Sequence, residues 1–208
     1  MKLRALPFDF ARYSSGCGRL GSKLNQRSKI APTTAMTDFI ALLRAVNVGG
    51  TGKLPMSDLR DLCQEAGLGS VRTYIASGNV VFASDATEPE IKALLEDRLR
   101  AYAGKPVGVL VRTAEELAAV LAVNPFRAAS PSRTVAIFLD QPVHPEALAG
   151  ITGQDGEEVG VGVREIYVHY GEKMGRSKLR IPEAADGTAR NMNTVAALVA
   201  MATARQRD

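Results

Sequence analysis

The sequence contains no tryptophan and, among 208 residues, only two histidines, two cysteines, five tyrosines and six phenylalanines. Each scarcity removes a class of function. Cys17 and Cys63 are too few and too far apart for a disulfide framework or a zinc-ligand set. His144 and His169 have no ligand partner at metal-binding spacing, and no Ser–His–acid or Cys–His arrangement can be read around them, so neither a metal nor a cofactor is expected. So few aromatic side chains offer little surface on which nucleic-acid bases could stack. No apolar run approaches the ~20 residues of a membrane-spanning helix. The expectation is a globular protein of the reducing cytoplasm, without a membrane partner.

Positive charge is also scarcer than the net value of +4 implies. Residues 1–35 carry seven basic side chains against the single acid Asp9, and the other 173 residues carry 19 basic against 21 acidic. The basic excess therefore belongs to the leader, and nucleic acid is not an expected partner of the folded part. The leader lacks hydrophobic periodicity and the apolar core of a secretory signal. It reads as a disordered tail or an over-extended start, because Met36-Thr37-Asp38 directly precedes the first strand.

What the chain does have is nearly half apolar residues, arranged in short blocks. Residues 38–48 form a nearly continuous apolar run, the pattern of a strand covered on both faces. A glycine loop follows, then Met56, Leu59, Leu62, Cys63 and Ala66 at helical spacing. Residues 71–75 and 80–82 are strands of a hairpin with Ser77-Gly78-Asn79 at its turn. Thr87 and Glu90 form a capping box before an apolar stripe through Tyr102, residues 107–111 are a fourth strand, and Thr113 and Glu116 form a second capping box. The order βαββαβ is that of a ferredoxin-like split unit. After a proline-bearing boundary, the second half repeats βαββα, with strands over 134–139, 157–163 and 165–170, a short helix over 144–150 and a last helix marked by Val195, Leu198, Val199 and Ala202. The expected class is α+β, built of two ferredoxin-like halves (36–124 and 133–205) with antiparallel-rich sheets and helices packed on one face.

Candidate site residues lie where strands give way to loops. Gly49, Gly50 and Gly52 precede Lys53, but a Walker A motif needs glycine at 47 and a hydroxyl at 54, where Asn47 and Leu54 stand. A strand–glycine-loop–helix order still offers backbone N–H groups to an anion, as it equally offers a plain turn. Arg44 shares a face with Ile40 and Leu42 by period two, so its guanidinium must be paired, either with a ligand anion or with a carboxylate such as Asp58 or Glu65. Ser77, Gly78 and Asn79 present polar groups at a hairpin tip. Arg176, Ser177 and Lys178 form a basic loop. Arg190 and Asn191 precede the last helix, with Asn193 or Thr194 as its cap. An arginine at a helix N-terminus opposes the helix dipole unless an anion lies between them.

Residues 43–50 (LRAVNVGG), 73–82 (TYIASGNVVF), 175–179 (GRSKL) and 190–194 (RNMNT) together resemble the bacterial family catalogued as domain of unknown function 1697. The resemblance runs from Met36 to Ala204 and implies an α+β protein with ferredoxin-like parts; it implies no activity. Ala45 stands where relatives usually have glycine, Ala76 replaces a usual glutamine and Met192 a usual tryptophan. The resemblance groups Arg44, Asn47, Gly49, Gly50, Ser77, Gly78, Asn79, Arg176, Ser177, Lys178, Arg190, Asn191, Asn193 and Thr194 into one expected cluster. The reading is a phosphate- or carboxylate-binding protein; the alternative is a nucleic-acid-binding or protein-interaction module in which these residues serve structure.

Overall fold

Strand β1, Thr37–Leu43, runs through the centre of a four-stranded sheet. The computed structural model describes residues 36–47 and 53–205; residues 1–35 and Gly49 and Gly50 of the glycine loop lie outside that range. After β1 come helix α1 (Met56–Glu65), strands β2 (Gly69–Tyr74) and β3 (Asn79–Ser84), helix α2 (Glu88–Ala103), strand β4 (Val109–Thr113) and helix α3 (Ala114–Val123). The strand order is β2-β3-β1-β4, all antiparallel, which is the ferredoxin-like arrangement. Both capping boxes form. The Thr87 and Thr113 amides donate to Glu90 and Glu116, each at 2.8 Å.

The second half has strands β5 (Thr134–Phe138), β6 (Glu158–Val161), β7 (Glu165–His169) and β8 (Thr188–Asn191), then helix α4 (Met192–Arg205). Its order, β6-β7-β5-β8, reproduces that of the first sheet. The connections differ. The helix expected over 144–150 is instead a series of tight turns, closed by bonds such as Ala147 N–H to His144 C=O at 2.9 Å. Pro145 at its start and Gly150 at its end leave too few residues to offset the cost of nucleating a helix. Two 3-10 turns, Gly171–Arg176 and Pro182–Ala184, stand where the other unit has α2.

Alternation along the strands sorts the side chains into three cores. Phe39, Ala41 and Leu43 face outward with Phe82, Leu59, Ile91 and Leu95 under α1 and α2. Ile40, Leu42, Val81 and Leu110 face inward and join Ala136, Phe138 and Tyr167 of the second sheet. Leu117 and Val120 of α3 and Val195 and Leu198 of α4 complete this shared core. The outer face of the second sheet is covered by loop residues such as Val143, Ile151 and Leu179. Cys63 lies in the first core, where burial pushes its thiol up to about 12. Met192, where relatives usually have tryptophan, is 4% exposed and fills the shared core.

Candidate functional site

Of the candidate residues, Arg44, Asn47, Ser77, Gly78, Asn79 and Arg190 come together around the end of β1. The strand stops at Leu43, one residue before Arg44, although the Arg44 amide still donates to Gly108 C=O at 2.8 Å. Ala45 and Asn47 then take positive φ, +47° and +56°, and turn the chain away. Arg44 therefore leaves the inner face that period two assigned to it. Its side chain is about a third exposed, with relative accessibility 35%. Its partners among the described residues are Asp186 Oδ1 and Ala185 C=O, both at 3.3 Å, in place of the expected Asp58 or Glu65. Asn47 staples the bend. Its amide nitrogen donates to Leu54 C=O at 2.9 Å and Ala76 C=O at 2.8 Å, while its oxygen accepts from Leu54 N–H at 2.7 Å.

Ala45 makes that turn in a left-handed conformation that glycine adopts without strain. An Ala45→Gly variant is expected to gain stability by up to about 1 kcal/mol, the steric relief being offset in part by a freer unfolded chain. Urea denaturation checks this; a loss of stability would show that the methyl group contributes packing that outweighs its strain.

Arg190 stands just before α4, as expected, but its side chain is taken up by the protein itself. It lies on β8, opposite Ala136, and points into the shared core at 6% exposure. The short strand escapes sequence reasoning because four mixed residues before a helix carry no periodic signal. The arginine's Nε donates to Asn79 Oδ1, Nη1 to Thr188 Oγ1 and Ala189 C=O at 2.8 Å each, and Nη2 to the carbonyls of Leu43, Ser77 and Gly78 at 2.9, 3.0 and 3.2 Å. All five N–H groups are engaged by neutral oxygens. Burial draws the guanidinium down to about 10, which leaves it charged at neutral pH. Asn79 is equally occupied, its amide nitrogen donating to Tyr74 C=O at 2.9 Å and Ser77 Oγ at 3.1 Å. Asn191 Oδ1, rather than Asn193 or Thr194, caps α4 by accepting from Thr194 N–H at 2.9 Å.

Arg112, not singled out in the sequence, is the counterpart of Arg190. It occupies the matching position on β4, opposite Ile40, and reaches the other way. Its Nη1 donates to the preceding carbonyl, Val111, at 2.6 Å, and its Nη2 to Leu139 and, at 3.5 Å, Arg164. Leu139 and Arg164 hold in the second half the places of Leu43 and Gly78 in the first. In both pairs the leucine amide bonds the turn carbonyl, Leu43 to Gly78 at 2.9 Å and Leu139 to Arg164 at 2.8 Å. Each half thus sends one arginine across the core to the end of the other half's first strand. The Arg112 end adds charge. Glu88 takes a bidentate contact from Arg164 at 2.6 and 3.0 Å and lies 3.6 Å from Arg112. An arginine closing the apolar run 109–111 was the available signal; the rule applied to Arg44 describes Arg112 correctly.

Arg176, Ser177 and Lys178 lie apart from this cluster. Ser177 Oγ donates to Glu157, Lys178 backbone packs against Gly153, and neither Arg176 nor Lys178 lines the clefts that meet at Arg44.

Two clefts meet at Arg44. One, of about 420 Å³, lies between the halves and is lined by Glu96, Asp140, Glu183 and Asp186 beside Arg44 and Lys92. The other, of about 650 Å³, lies in the first half. Arg44, Lys53 and Lys105 line it with Val46, Leu54, Leu99, Val107 and Tyr102, and among the described residues no carboxylate does. The Tyr102 hydroxyl donates to Asp58 at 2.7 Å, which holds that carboxyl below its ordinary range and the hydroxyl above its own. Lys53 stands out in sequence only as the lysine of a Walker A motif, and Tyr102 and Lys105 were not candidates; Tyr102 reads in sequence as part of a helix's apolar stripe. Among the described residues no group of three His, Cys, Asp or Glu side chains is placed to hold a metal.

A protein-family profile described as a protein of unknown function (DUF1697) matches residues 36–167. The chain belongs to that family. Among solved structures, this family member is similar to the conserved bacterial protein SP0830 from Streptococcus pneumoniae, at 23% identity and a TM-score of 0.66, over 80% of this chain and 99% of that one. That likeness shows a shared fold. No curated protein matches the chain. No described helix is long and apolar enough to cross a membrane.

Proposed function

We propose that this DUF1697 protein binds a small molecule carrying a carboxylate or phosphate on an apolar body, within a bacterial cytoplasm, in the 650 Å³ cleft at the end of β1. The observation that carries the reading is the lining of that cleft. Three cations from three separate segments face it without a carboxylate among the described residues, above walls of valine, leucine and proline. Such a cleft, mostly apolar with a few converging charges, is the usual form of a small-molecule site. Arg44 supplies a planar fork suited to an oxyanion, and the lysines supply point charges. Of the residues first grouped as a site, Arg44 lines the cleft, and Asn47 shapes it by joining Leu54 to the end of β1. Arg190 and Asn79 have their polar groups engaged within the protein itself.

The test is a thermal-shift and calorimetric screen of inorganic phosphate, aromatic and aliphatic carboxylates and nucleoside monophosphates. A ligand at one hundred times its dissociation constant stabilises by about 2.7 kcal/mol, which raises the melting temperature by about 5–11 °C in a chain of this size. Arg44→Ala is expected to weaken that ligand about ten-fold or more, and the Lys53→Ala/Lys105→Ala pair to weaken it further. A ligand bound equally well by wild type and by the triple variant would place the site elsewhere. The absence of any stabilising anion would sink the reading.

A further inference from the structure

Arg44 is shared between two clefts, and its second partner bears on how an anion would be held there. Resting on the reading of the larger cleft as an anion site, we propose that Asp186 is a built-in competitor for it: its carboxylate occupies the Arg44 guanidinium when the cleft is empty and gives it up when an anion binds. Arg44 forms part of the wall between the two clefts. Its stem lies against Gly108, where an added Cβ would stand 2.9 Å from Arg44 Cδ. A side chain at 108 would push Arg44 out of that wall, so the bare backbone there sets the arginine's position. On one side of the wall stand carboxylates, and on the other are lysines and apolar side chains.

Asp186 is suited to the role by its own placement. It sits between the Pro182–Ala184 turn and β8, with 94% of its side chain exposed, and Arg44 is its partner among the described residues. The next residue, Gly187, is seated so closely on Ile137 and Phe138 that a Cβ would lie 2.7 and 2.9 Å from them, which anchors the segment within reach of Arg44. The contact itself is loose. Both Arg44 bonds measure 3.3 Å, longer than the ~2.7–2.9 Å of a strong charge-assisted bond. An exposed pair of this kind is readily displaced by a ligand anion with apolar contacts of its own. The site therefore carries an internal anion that lowers its apparent affinity for weak ligands.

Titration calorimetry with inorganic phosphate and with a monocarboxylate on wild type, Asp186→Asn and Glu183→Gln tests the competition. Asp186→Asn is expected to bind either anion about two- to five-fold more tightly. Glu183→Gln removes one charge from the same segment without touching Arg44, and is expected to match wild type. Equal tightening in both variants would mean a long-range field effect and overturn the competition, as would weaker binding in Asp186→Asn, which would make Asp186 a support for Arg44. Unchanged affinity in Asp186→Asn, in a protein whose binding is lost on Lys53→Ala/Lys105→Ala, overturns the competition alone. No anion binding in any variant overturns the site with it.

Discussion

Arg190→Met is expected to destabilise the protein by about 3 kcal/mol or more, a fall of about 6–12 °C in melting temperature. The guanidinium spans both halves, and six oxygens accept from it. Some keep another partner when it is removed. Gly78 C=O still receives the Leu43 amide at 2.9 Å, and Leu43 C=O the Thr188 hydroxyl at 3.3 Å. Ser77 C=O, Ala189 C=O and Asn79 Oδ1 lose a donor in or beside the core, at about 1–3 kcal/mol for each acceptor left bare. Relief of the arginine's own burial cost, visible in its lowered pKa, offsets part of this. Arg190→Lys is not expected to rescue, because one ammonium cannot reach acceptors spread around a five-donor fork. Arg44→Met, which removes an exposed pair, should cost less than about 1 kcal/mol. Thermal melts of the three variants decide the matter: similar small losses at 190 and 44 would show that the buried arginine does not hold the halves together.

Gly78→Ala should cost about 2–5 kcal/mol, against about 1–2 kcal/mol for Gly104→Ala. Both glycines have positive φ, +76° and +68°, so both substitutions carry the left-handed penalty. They differ in surroundings. A Cβ at 78 would stand 2.5 Å from Val46 Cγ2 and 2.9 Å from Leu43 Cβ, both in buried residues, whereas a Cβ at 104 meets nothing within 4 Å. Only the first variant must displace the end of β1, which carries Arg44 and Asn47. Its excess cost is the overpacking contribution, and urea midpoints at unchanged m measure it. Equal losses at the two positions would mean that the crowding relaxes freely. An anion affinity lowered in Gly78→Ala alone would tie the packing of this corner to the cleft.

Most elements could be read from the chain because their signals are local. The capping boxes at Thr87 and Thr113, the helical spacing from Met56 and the glycine turn before Asn79 each depend on residues within a few positions of one another. The glycine that relatives usually have at 45 was a signal for the left-handed turn at Ala45, but the apolar run reads through it as strand to residue 48. The errors fall where neighbours in space outvote neighbours in sequence. Residues 144–150 lack the length to hold a helix, and β8 exists because β5 offers it an edge. Arg44 read as buried because β1 was extended past the residues that turn the chain.

Alone, the chain determined its class, the order of its units and the corner where polar residues leave the sheet, because hydrophobic period and turn chemistry act over short distances. Which arginine lies in the core and which faces a cleft was decided only by tertiary structure. A guanidinium is tolerated inside when enough fixed oxygens surround it, and four of the six around Arg190 come from Leu43, Ser77, Gly78 and Asn79, in the other half of the molecule. No pattern along the chain encodes a meeting that two separately built sheets make when they pack.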